Sequence, residues 1–248
     1  MDLPELPNIL KQYEDRINKT FKEYIAIKSQ AVSEELSPTQ SKFGGKPLLI
    51  DEVEYPKNAA GQKLIFLAQI NFEEVPKLAD FPETGILQMF ISDNNLRGLD
   101  FANRTKQDNF RVLYISKEQF INTNPILDYD WPTPKETFVL ENEFSLTFKR
   151  SIASIPYVDF RYESEINYDK AFDDFYSELV KTYLKFSDPT GHKIGGYPNF
   201  TQDDPRGNDK FTDYSTLLFQ MDSEYYPKQN IAEIMWGDVG VANFLLNQ

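Results

Sequence analysis

Lys42-Phe43-Gly44-Gly45-Lys46-Pro47 returns 151 residues later as Lys193-Ile194-Gly195-Gly196-Tyr197-Pro198, a shared K-x-G-G-x-P. Paired glycines ahead of a proline mark a turn that needs positive φ and then a fixed exit direction. The same offset carries Gln69, in Leu67-Ala68-Gln69-Ile70, onto Gln220, in Leu218-Phe219-Gln220-Met221. It also carries Phe21 onto Phe172 and Tyr24 onto Phe175, while residues 85–90 resemble residues 240–245 at an offset of 155. A helix, a glycine turn and strands thus recur in one order. The sequence therefore predicts a β-rich α+β fold, internally duplicated around a pseudo-twofold axis. It predicts one domain over residues 1–248, with repeats at about 1–93 and 165–248 and a strand-rich segment, 94–164, between them.

Apolar spacing supplies the elements. Leu3, Leu6, Ile9, Leu10, Tyr13, Ile17, Phe21, Tyr24, Ile25 and Lys28 recur at three- and four-residue intervals, which predicts one long amphipathic helix stopped by Ser37-Pro38. Tyr168, Ala171, Phe172, Phe175, Leu179, Tyr183 and Leu184 predict a second, with Asn167 as its N-cap and Pro189 and Gly191 beyond its end. Runs of Val, Ile, Phe and Tyr predict strands at 64–70, 86–92, 111–116, 137–148, 217–221 and 241–246. Helices and strands segregate instead of alternating, which favours α+β over a doubly wound sheet.

The 248 residues carry 26 Lys and Arg against 39 Asp and Glu, a net charge of −13, with one histidine and no cysteine. That composition excludes disulfides, thiol nucleophiles, cysteine-ligated zinc and multi-histidine metal centres, so no cofactor and no metal ligand is assigned. Twenty Phe and fourteen Tyr are enough to dominate a core, or, where exposed, to bind a sugar or peptide. The negative field disfavours nucleic acid and anionic membranes and suits a basic protein or a cation. The longest fully apolar run, residues 64–68, is far below the ~20 residues a membrane helix needs. Met1-Asp2-Leu3-Pro4-Glu5 has neither the basic nor the apolar region of a secretory leader, and a cytoplasmic location is expected.

No motif announces catalysis. Pro47 follows Gly45-Lys46 where a P-loop needs Ser or Thr, so the glycine turns are conformational, or anion nests beside Lys42 and Lys193. Gln69 and Gln220 lie inside apolar strands, where an amide without partners costs about 1–3 kcal/mol. Either each caps the glycine turn of its own repeat, or both face a shared polar pocket. Ser41 and His192 occupy equivalent places, yet no oriented Asp, oxyanion hole or G-x-S-x-G accompanies them. Asp203, Asp204, Asp209 and Asp213 surround Pro205-Arg206-Gly207-Asn208 without the ligand alternation of a calcium loop, and predict a solvated loop. Asp173-Asp174 and Asp128/Asp130 are carboxylate pairs of the kind a glycosidase uses, but 39 acids make close pairs common. Asp238, between glycines, predicts a turn into the last strand.

Taken together, the two K-x-G-G-x-P turns, the Leu-x-Gln-Ile/Met strands, Phe110-Arg111-Val112-Leu113-Tyr114, Glu143-Phe144-Ser145-Leu146-Thr147-Phe148 and Trp236-Gly237-Asp238-Val239-Gly240 resemble the YwqG-like family of bacterial proteins, from about Ser41 onward. The resemblance implies a compact, β-rich, duplicated fold and no particular activity.

Two functional classes follow. The first is a non-catalytic binding or protein-interaction domain, engaging a basic partner or a small ligand at the repeat interface through Lys42, Gln69, Lys193 and Gln220. An immunity-like or antitoxin-like role belongs to this class. The second is a carboxylate-based hydrolase acting at that interface. The missing nucleophile, metal and cofactor constellations favour the first, in which no residue is catalytic.

Overall fold

A computed structural model describes residues 1–135, 137–207, 211–226 and 231–247, and the backbone alone at 225, 226, 231 and 232. The chain forms two compact units: Met1–Ile27, Lys149–Ser223 and Trp236–Gln248 make unit 1, and Lys28–Phe148 with Glu224–Met235 make unit 2. Each is built mainly on antiparallel strands. Two strands, β1 (Lys22–Val32) and β6 (Glu143–Ala153), contribute to both.

In unit 2 the strands next to β6 are, in order, β2 (Lys42–Phe43), β3 (Ile65–Asn71), β4 (Ile86–Ile91) and β5 (Phe110–Ile115). All residues of β3 and β4 are buried, as expected of near-continuous apolar runs covered on both faces. A short pair, β9 (Glu224–Tyr226) and β10 (Ile231–Ile234), completes the unit. In unit 1 the strands next to β1 are β7 (His192–Gly195), β8 (Thr216–Asp222) and β11 (Val241–Leu246). An aromatic core gathers there around Leu10, Ile17, Tyr162, Phe172, Val180 and Tyr183.

Both expected helices need correction. The N-terminal stripe yields only a 3-10 segment, Asn8–Tyr13, and a short helix α1, Glu14–Lys19, which bury Leu10 and Ile17. Thr20 closes α1, donating from its hydroxyl to the Ile17 carbonyl at 2.8 Å. Phe21 follows the helix, and Tyr24 and Ile25 belong to β1. There the buried Ile25 and Ile27 alternate with less buried neighbours, a period of two that pairing with β7 rewards. The second stripe is helical only from Ser177 onward. Lys170 takes φ 59°, and the Asn167 side chain accepts from Phe172 N and donates to Asp173, which makes a turn and not a helix start. The helix proper, Glu178–Phe186, is capped by Ser177, whose hydroxyl accepts from Val180 N at 3.2 Å. Phe172 and Phe175 lie in the preceding turns, so the helical part of the expected repeat is absent.

The strands fare better. Those expected at 64–70, 86–92, 111–116, 217–221 and 241–246 correspond to β3, β4, β5, β8 and β11. The exception is 137–148. Residues 138–140 form a buried connection, in which Met235 N donates to the Val139 carbonyl, and β6 begins only at Glu143.

The acidic loop is solvated only in part: Asp203 and Asp213 are exposed, but Asp204 is buried. Arg206 is fully buried and its guanidinium donates to Asp204 and to Asp159, whose side chain also takes two bonds from Arg161. Two arginines and two aspartates so form a charge-balanced network inside unit 1, which holds the Asp159 carboxyl below its ordinary range despite burial. Asn208 and Asp209 lie outside the described residues.

Candidate binding site

The two glycine turns are built alike. Gly44 and Gly45 sit at φ 65° and 70°, and Gly195 and Gly196 at 71° each. Lys42 pairs in register with Gln69 in unit 2, and Lys193 with Gln220 in unit 1. The Gln69 amide donates to the carbonyls of Pro38 and Gln40 and accepts from Leu48 N at 2.8 Å. The Gln220 amide donates to Pro189 and Gly191 and accepts from Asn199 N at 2.7 Å. Every partner is displaced by the same 151 residues. Gln88 on β4 donates to the Leu48 carbonyl, as Asn243 on β11 does to Asn199. Ser41 accepts from Asn71 N through its hydroxyl, and His192 accepts from Asp222 N through Nδ1. Each glutamine thus clamps the chain before its turn to the chain after it, and Ser41 and His192 hold backbone amides.

One position in the pattern differs, and it decides the electrostatics. Phe43 faces Phe144 across β2 and β6, which sets Glu143 beside the first turn, whereas Tyr24 faces Gly195 across β1 and β7. Lys42 Nζ, wholly buried, donates to the Leu36 carbonyl at 3.1 Å and pairs with Glu143 at 3.3 Å. Burial lowers its pKa and Glu143 opposes the shift. Lys193 Nζ donates to the Pro189 and Tyr197 carbonyls and lies 5.5 Å from the Tyr24 ring. Among the described residues no carboxylate pairs with it, and burial pushes its pKa down to about 8.

Both turns are closely covered: a Cβ on Gly196 would meet Tyr24 Cβ at 2.8 Å, one on Gly44 the Asn142 carbonyl oxygen at 2.8 Å, and one on Gly45 would clash with the Glu143 carboxylate. Gly44 and Gly45 also border a cavity of about 270 Å³ within unit 2. Tyr55, Phe66, Trp131 and Phe138 line it together with Glu141 and Glu143. Tyr55 stacks on Tyr129 at 5.2 Å, and Trp131 meets the Tyr129 ring edge-on at 5.0 Å, so Tyr129 braces two rings of this aromatic wall. Burial raises the Tyr55 hydroxyl above its ordinary pKa, and it donates to the Leu64 carbonyl. Trp131 Nε1 is buried with no hydrogen-bond partner among the described residues. Glu143 spends one oxygen on Lys42 and Leu36 N and makes no hydrogen bond through the other among the described residues, while Glu141 is exposed. Beside the wall, Lys63 Nζ lies 4.3 Å from the Tyr129 ring and pairs with Asp130 at 3.0 Å, so this surface already holds one cation between an aromatic face and a carboxylate.

Sequence reasoning missed this cavity because its aromatic lining comes from residues 55, 66, 131 and 138, which share no motif. Of the carboxylates it noted, Asp130 pairs with Lys63, Asp173 accepts from Asn167 and Asp174 from Tyr176 N, each through one oxygen. Among the described residues no cluster of His, Cys, Asp and Glu has the makings of a metal site, and no helix is long and apolar enough to cross a membrane. No curated protein matches the chain. Both clamping glutamines, both glycine turns and the cavity fall within residues 41–248, which match a domain of unknown function, DUF1963, and the chain belongs to that family.

Proposed function

We propose that this chain is a non-catalytic binding domain for a basic protein partner, and that the cavity over the first glycine turn receives a cationic side chain of that partner. The observation that carries this reading is the cavity's lining, in which the rings of Tyr55, Phe66, Trp131 and Phe138 share one space with two carboxylates, one exposed and one with an uncommitted oxygen. Cations are attracted to ring faces by about 0.5–2 kcal/mol, and a carboxylate opposite adds direction. The net charge of −13 supports the same partner through steering. Lys42 and Gln69 act here as positioning groups, the first holding Glu143 and the second fixing the turn. Lys193 and Gln220 have the corresponding structural part in unit 1. The matched hydrogen bonds support a duplication of the clamp, with β6-β2-β3-β4 and β1-β7-β8-β11 as its two copies. The narrower YwqG-like membership and a cytoplasmic location belong to the same proposal.

Isothermal titration with a lysine- and arginine-containing peptide tests it, beside a peptide in which those residues are replaced by Gln. The basic peptide should bind, and Glu141→Lys, at an exposed site with no ion pair among the described residues, should weaken it about tenfold or more. Equal binding of both peptides, or indifference to the charge reversal, removes the reading.

A further inference from the structure

Unit 1 presents a second surface, separate from the cavity. Within residues 168–176 three aromatic side chains stand in solvent: Tyr168 is 67% exposed, Phe175 49% and Tyr176 79%. Large rings seldom stay this exposed in one short segment without a partner. They are held in place from beneath. Phe175 meets Tyr176 edge-on at 5.7 Å and Tyr157 at 5.9 Å, and Tyr157 continues through Tyr162 to the buried Phe172. The turns that carry them are fixed by Asn167 and by Asp174, which accepts from Tyr176 N at 3.0 Å. Phe175 and Tyr176 therefore stand on an aromatic base, and Tyr168 lies against Arg16.

The charge around them names the occupant. Residues 163–178 contain six carboxylates and one lysine. Arg16 shows locally how such a surface holds an arginine: its guanidinium lies 4.0 Å from the Tyr168 ring centroid, pairs with Asp169 at 3.0 Å and donates to the Ile166 carbonyl. A planar guanidinium suits that arrangement better than an ammonium, because it stacks on the ring while its edge hydrogen-bonds. The geometry points to this segment as a docking surface for an arginine-rich protein segment, whose guanidinium groups stack on Tyr176 and on the open face of Tyr168 while Asp173, Asp174 and Glu178 supply the counter-charge.

The test uses a fluorescein-labelled peptide of alternating Arg and Gly, its Lys counterpart, and anisotropy at low and raised salt. The arginine peptide should bind more tightly than the lysine peptide, with affinity falling as salt rises. The double variant Tyr168→Ala/Tyr176→Ala should lose about tenfold in affinity, while Tyr168→Phe/Tyr176→Phe keeps it, since the rings and not the hydroxyls do the stacking. Thermal melts of each variant check that the fold is unchanged, and Glu141→Lys, at the cavity in unit 2, should leave this binding intact, which separates the two sites. Unchanged affinity in the double alanine variant overturns the proposal. So does equal affinity for the lysine peptide, or a self-association in sedimentation velocity that Tyr176→Ala abolishes, which would make a second copy the occupant.

Discussion

Replacing Lys193 by Met should flatten the alkaline rise in this protein's stability. Lys193 is buried, its ammonium faces the carbonyls of Pro189 and Tyr197 and the Tyr24 ring, and Asp188 and Asp222 only partly offset the desolvation. Its pKa falls from an ordinary 10.5 to about 8. Between those values the unfolded chain holds the proton that the folded chain has released, so stability rises with pH across the window and is lost again as pH falls through 8. At about 1.36 kcal/mol per unit, the full window is worth roughly 3 kcal/mol, of which about 2.5 appears between pH 7 and pH 10. Lys42 and Lys22 are lowered too and add slopes of the same sign, but they are common to both proteins and cancel in the difference. Urea unfolding of wild type and K193M at half-unit steps through this range measures it. The wild-type advantage should grow with pH, whatever its value at pH 7. A difference that stays constant from pH 7 to 10 would mean that the site holds its proton as well as water does, and would refute the argument.

Gln220→Leu leaves the Gly191 carbonyl and Asn199 N without partners and should cost about 2–4 kcal/mol in urea unfolding, and Gln69→Leu a similar amount. A loss below about 1 kcal/mol in both would remove the clamp reading. Arg206→Met uncovers Asp204 and half of Asp159, and should destabilise by about 3–5 kcal/mol at neutral pH, with the loss shrinking in acid as Asp159 protonates. A pH-independent loss would assign the effect to packing against Phe160 and Phe200.

Much of the sheet was legible because β3, β4, β8 and β11 are short apolar runs bounded by turn residues, and because the K-x-G-G-x-P offset places Gln69 and Gln220 in matching registers. The N-terminal segment misled because Phe21, Tyr24, Ile25 and Lys28 satisfy a helical spacing while Ile25 and Ile27 satisfy a strand, and only pairing with a β7 some 170 residues away decides between them. The 168–177 turns misled for a related reason: the apolar stripe is real, but Asn167 and Asp174 offer side-chain acceptors that the backbone takes in place of helix bonds. In the site, the repeat drew attention to Lys42, Gln69, Lys193 and Gln220. It was silent on Glu143 and matched Tyr24 only to Phe175, yet these opposed residues set a carboxylate beside Lys42 and an aromatic ring beside Lys193. That contrast is a matter of strand pairing between distant segments.

Trp131 lines the cavity proposed to hold a cation against its aromatic rings, and is its natural reporter. The chain has two tryptophans, so Trp236→Phe isolates the signal. Titrating this protein with a capped Gly-Arg-Gly peptide should change Trp131 emission saturably, and Glu141→Lys should remove most of that change. A linear, unsaturable response, or one that the uncharged Gly-Gln-Gly peptide reproduces, would contradict the account.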